Sequence, residues 1–87
     1  MTPVEDREHG RQLGVLIAAQ RQEQGRSAPD LARESSVAID TVRSLESGRV
    51  ATPAFLTVAR LADALGLSLD ELHTRAQQSG DLEGTVA

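Results

Sequence analysis

Apolar residues recur at helical spacing in five blocks along the chain, and residues that break helices separate them. The first block runs from about Arg11 to Gln24, with Leu13, Leu16 and Ile17 on one side, Ala18 and Ala19 filling in, and Gly25 as its stop. The second is short, 28 to 35. Ser27 and Asp30 stand at capping-box spacing, Pro29 sits harmlessly in the first turn, and Leu31 and Ala32 face inward. The third, 39 to 47, turns Val42 and Leu45 inward and stops at Gly48. Its cap position, Ala38, has no oxygen for the free N–H groups, which costs about 0.5 to 2 kcal/mol relative to Ser. Asp40 in its first turn partly offsets that through the helix dipole. The fourth is predicted to open with Thr52 as cap and Pro53 as first helical residue, carrying Phe55, Val58, Ala59, Ala62 and Leu65 up to Gly66. In the fifth, Ser68 and Glu71 form a capping box ahead of Leu69, Leu72 and Ala76, and the pattern fades near Gln77. Residues 1–9 and 79–87 lack periodic apolar positions and are expected to be flexible tails on one domain, 10–78.

A chain of 87 residues supports one small core. With 39% hydrophobic residues and one aromatic, Phe55, that core must come from aliphatic side chains, which suits an all-α fold. The absence of cysteine excludes disulfides, thiolate zinc sites and cysteine nucleophiles. His9 and His73 have no metal-ligand spacing and no nucleophile motif beside them, and there is no G-x-S-x-G elbow, P-loop or G-x-G-x-x-G. Asp70 and Glu71 read as helix-start residues, so no catalytic residue, metal or cofactor is assigned and the chain is not expected to be an enzyme. The first residues have no apolar leader and no run is long enough to span a bilayer, so a cytoplasmic protein is expected, with no membrane partner.

The net charge of −4 weighs against a nucleic-acid partner, because Lys and Arg supply much of the affinity for phosphates. The acid, however, lies at the two ends. Residues 11–60 carry seven arginines against five carboxylates. Within that stretch two short helices joined by Ser36, Val37 and Ala38 form a helix-turn-helix unit.

The segments LGVLIAAQRQEQGRS, PDLARESSV, TVRSLESGR and TPAFLTVARLADALGLSLDEL, with the spacing between them, resemble the phage-repressor type of helix-turn-helix domain, the Cro/C1 or XRE family. The resemblance covers about residues 11–76 and implies a five-helix, DNA-binding transcription regulator that works as a homodimer on double-stranded DNA. It makes 39–47 the recognition helix, and a helical wheel agrees. Val42 and Leu45 lie within about 60° of each other, leaving Ile39, Asp40, Arg43 and Ser44 on the remaining surface. Arg43 can fork onto guanine or a phosphate, Asp40 can accept from cytosine N4, Ile39 can touch a thymine methyl, and Ser44 can bond either way.

The remaining DNA-binding candidates are Ser27, Ala28, Ser47 and Arg49, with Arg26 as a further cation in reach. Two departures from the family pattern thin the phosphate contacts. Ala28 stands where relatives often place Gln, and the loop VATPA has no basic residue. Arg21 and Glu46 match a family ion pair between the first helix and the end of the recognition helix, and both are expected to be structural. Leu56, Leu69 and Leu72 are candidates for the dimer surface, although each can equally complete the core. The alternative is a protein-interaction module on the same frame, antitoxin-like or an accessory regulator, that binds a protein partner.

Overall fold

The computed structural model describes residues 3–50 and 52–85, and the side chains of 7–50 and 52–77. The fold is all-α: α1 (Pro3–Glu23), α2 (Ala28–Ser35), α3 (Ile39–Glu46), α4 (Phe55–Leu65) and α5 (Leu69–Thr85). No strand occurs among the described residues.

Leu13 and Ile17 of α1, Leu31 and Ala32 of α2, Val42 and Leu45 of α3, Val58, Leu61, Ala62 and Leu65 of α4, and Leu72 and Ala76 of α5 close on one aliphatic core with Val37 of the turn. Ile17, Leu31, Val42, Leu61 and Leu72 are completely shielded from solvent. Burying each such side chain contributes about 1.5 to 3 kcal/mol, which has to overcome the chain entropy lost on folding.

The first four helices end in the same way, and this makes the short connections possible. At each end the chain turns left-handed, at Gly25, Ser36, Gly48 and Gly66, and the N–H groups of that residue and the one after it bond back to carbonyls of the last turn. Three of these stops are the glycines the sequence marks. The fourth, Ser36 at φ 61, is a non-glycine residue in a region that L side chains seldom enter. The turn between α2 and α3 imposes it: Ser36 N–H reaches Arg33 O at 3.4 Å and Val37 N–H reaches Ala32 O at 3.1 Å. Val37 is thereby tucked into the core.

Several expected boundaries move. α1 starts at Pro3 instead of near Arg11, and α5 continues to Thr85 instead of ending near Gln77. Pro3 suits a first helical position, a signal that apolar periodicity does not carry.

α4 starts at Phe55, with Ala54 as an uncapped N-cap, instead of at Thr52 and Pro53. Pro53 serves the loop instead and helps line a hollow with Leu13, Phe55, Val58 and Leu69. The buried stripe of α4 is accordingly Val58, Leu61, Ala62 and Leu65, while Phe55 stays 72% exposed and Ala59 lies at the edge. Leu72 is also corrected. It is fully buried within the chain and is therefore unavailable to a dimer surface, whereas Leu69 is partly buried against the core and Leu56 is 56% exposed.

Candidate nucleic-acid interface

The position of α3 is set first by a glycine. A Cβ on Gly14 of α1 would lie 1.9 Å from the Leu45 carbonyl oxygen, so the two helices cross at a distance that excludes any side chain. Val42 and Leu45 then fill the seam beneath α3, at 0% and 1% exposure. Beside this contact Arg21 forks onto Glu46, with Nε to Oε2 at 2.8 Å and Nη2 to Oε1 at 3.0 Å. The third guanidinium nitrogen, Nη1, donates to Arg26 O at 2.8 Å. The bond to Glu46 raises the Arg21 pKa above its ordinary value against the opposing effect of burial. Both side chains are nearly enclosed, so the pair is an internal brace between α1 and the end of α3.

The turn after α3 is equally fixed. Gly48 at φ 78 has Arg11 Cγ 3.0 Å from where its Cβ would be, so both backbone and space call for glycine. Arg49 N–H bonds Ser44 O at 3.1 Å, and the Arg49 side chain folds back along the helix. Its Nε donates to Ser47 Oγ at 3.0 Å and its Nη2 to Ser44 Oγ at 3.3 Å. Ser47 in turn donates its own proton to Ser44 O at 3.0 Å.

On the outer side of α3, Asp40 and Arg43 are exposed and Ser44 is half-buried. Asp40 and Arg43 form no ion pair with each other or with any described residue. Ile39 differs from expectation. It is half-buried and packs against the core, so it offers an edge to the outside instead of a free aliphatic side chain. The start of α3 is bare, as the sequence implied: Ala38 makes no side-chain cap bond.

The start of α2 is the reverse. Ser27 Oγ accepts from Asp30 N–H at 3.1 Å while Asp30 Oδ2 accepts from Ser27 N–H at 3.2 Å, a reciprocal box. These bonds, followed by one from Arg33 at 2.9 Å, hold the Asp30 carboxyl below the usual carboxylate range. A negative group belonging to the chain itself thus occupies the place where an external anion would approach. Ala28 is partly buried against the core.

Arg26 also has internal duties. Its Nη1 donates to Ala64 O at 2.6 Å and lies 3.3 Å from Glu34, while Gln24 Nε2 donates to Leu65 O at 2.8 Å. Together these two side chains finish the end of α4, a role that neither periodicity nor capping patterns disclose. From α2 through the turn after α3, Arg43 and Arg49 are thus the described cations without a carboxylate partner. The coupling of Arg49 to Ser44 was not anticipated, although the run Ser-x-x-Ser-Gly-Arg at 44–49 carries its signal.

Residues 12–74 match the family model described as a helix-turn-helix domain. The chain belongs to that family. Its fold is also similar to the crystal structure of the clp gene regulator ClgR from Corynebacterium glutamicum, with a TM-score of 0.78 and 26% identity over 87% of this chain and 80% of that one. No curated protein matches the sequence. No described helix is long and apolar enough to cross a membrane.

Proposed function

We propose that this chain is a sequence-specific DNA-binding transcriptional regulator of the Cro/C1 (XRE) type, which lays α3 in the major groove and acts as a homodimer in the cytoplasm. The observation that carries the reading is the division of α3. One side is fastened by Gly14, Val42, Leu45 and the Arg21–Glu46 brace, and the other presents Asp40, Arg43 and Ser44 with Arg43 and Asp40 unpaired. Exposed and unpaired, both side chains remain hydrated and free to engage base edges, which offer a partner for each. That the similar structure is a gene regulator supports the same reading.

Phosphate contacts fall to Arg43 and backbone N–H groups, since Ser27 is tied into its box, Arg26 into α4, and Arg49 is bonded to Ser44 and Ser47. Few contacts per copy mean modest affinity, which two linked copies on two half-sites restore. Phe55 and Leu56, exposed side by side, support such pairing. Fluorescence anisotropy tests the proposal: a selected operator should be preferred over random duplex by about 10³ or more. Coincident curves for the two duplexes at every salt concentration would overturn it.

The hollow of about 340 Å³ beside Phe55 favours one second reading, a protein-interaction module on the same frame. It predicts capture of a protein partner with no salt-dependent DNA binding. DNA binding, by contrast, weakens by roughly 0.9 log units per log unit of salt for each phosphate neutralised.

A further inference from the structure

We infer that Arg49 is a positioning residue for Ser44, and that the two act as one donor unit selecting guanine about two base steps from a cytosine bound by Asp40. The inference rests on the proposed insertion of α3 into the major groove.

Counting protons leads to it. A serine hydroxyl has one proton to give and two lone pairs to fill. Ser47 spends its proton on Ser44 O and accepts from Arg49 Nε, so it has no donor left for an outside acceptor. Ser44 is in the opposite condition. Its oxygen accepts from Arg49 Nη2 at 3.3 Å, and none of the described residues accepts its proton. The adjacent positive charge turns that proton away from the guanidinium and toward the open side of the helix.

A free serine can donate or accept, and so discriminates poorly between bases. Ser44, held by Arg49, presents a donor beside a cation. Cytosine N4 is a donor and is repelled, adenine sets its N6 donor beside N7, and thymine offers the single acceptor O4, whereas guanine alone offers two adjacent acceptors, N7 and O6, for the Ser44 hydroxyl and a remaining Arg49 N–H together. Asp40 carries the opposite sign one turn earlier and suits a cytosine N4. Four residues along a helix advance about 6 Å, close to two base steps of 3.4 Å.

The backbone supports the arrangement. The left-handed Gly48 and the Arg49 N–H bond to Ser44 O direct the Arg49 side chain back along α3. Two of its five N–H donors are spent on the serines, and three remain for DNA.

The test uses the whole chain: selection from randomised duplexes, then anisotropy on the selected site, for the native protein, Ser44→Ala, Arg49→Ala, Arg49→Lys and the Ser44→Ala/Arg49→Ala double variant. The native protein should enrich guanine at one position and cytosine about two steps away. Ser44→Ala and Arg49→Ala should each lower discrimination at that same guanine about 10-fold to 100-fold, with the cytosine preference kept and no further loss in the double variant. Arg49→Lys, which keeps the charge but lacks the planar fork whose separate nitrogens reach Ser47 and Ser44, should keep overall affinity and lose part of the guanine preference. Replacing that guanine by 7-deazaguanine, which lacks the N7 acceptor, should weaken the native protein and leave Ser44→Ala unaffected.

If Arg49→Ala weakens all duplexes equally and shallows the salt slope by about one contact, Arg49 is a phosphate ligand and the inference falls. If the native protein prefers no sequence at all, the DNA reading itself fails and takes this inference with it.

Discussion

The two sides of α3 belong to one eight-residue helix, yet different forces shape them. The inner side is fixed by contacts that tolerate no change: a glycine crossing, two shielded aliphatic residues and a forked ion pair. The outer side has almost no internal obligations. Among the described residues Asp40 and Arg43 have no ion-pair partner, and the helix start above them lacks a side-chain cap. Stability and recognition are therefore separable to an unusual degree in so small an element. A substitution should disturb one and spare the other.

The sharpest challenge to that division is Gly14→Ala. Its methyl group would meet the backbone of α3, which cannot yield as a side-chain tip could, so a loss of about 3 kcal/mol or more is expected, read as a lower denaturation midpoint. Next comes Glu46→Ala, which strands the Arg21 guanidinium. The expected cost is about 3 kcal/mol, at the low end for a buried pair because the side chains keep 13% and 12% exposure. A melting curve indistinguishable from the native one would remove the brace from the inner side.

Arg43→Ala probes the other face. DNA affinity should fall about 10-fold to 100-fold while the melting temperature hardly moves, since the side chain is exposed and unpaired. A large loss of stability would show that the outer side is structural after all. Ala38→Ser is the complementary case, adding the missing oxygen at the bare helix start. It should stabilise by about 0.5 to 1 kcal/mol, measured by chemical denaturation.

The smallest effect concerns acid. Asp30 has a lowered pKa in the folded chain, so its contribution is present above the ordinary carboxylate range and is lost as pH falls through the folded value. Asp30→Asn should remove this small contribution at neutral pH, leave stability at low pH nearly unchanged, and so flatten the stability profile across the acidic range.

Much of this was legible in the sequence wherever local chemistry and apolar spacing agree. α2 is bounded as expected at 28–35 because its capping box and Pro29 mark the start and Leu31 and Ala32 the inner face. The inward pair on α3 and the Arg21–Glu46 partnership were likewise readable, the first from helical phase and the second from the family resemblance. Elsewhere the determinants are tertiary. Thr52 and Pro53 carry a genuine start signal, yet α4 begins later, with Pro53 lining the hollow beside α1 and α5. Phe55 continues the apolar phase of α4 but lies past the edge of the core. Arg26 resembles a spare cation until its bond to the end of α4 is seen. Ser36 bears no mark of its left-handed backbone, because serine occupies that region only when flanking contacts hold it there.

Phe55 has one more consequence, and it is optical. With no tryptophan or tyrosine in the sequence, the chain has almost no absorbance at the usual protein wavelength and no useful emission of its own. Its single aromatic ring stands in solvent at the mouth of the hollow. A Phe55→Trp variant would therefore install one reporter on an otherwise dark background. Its colour and quenching would register whatever comes to rest against that mouth, while the aliphatic interior stays undisturbed.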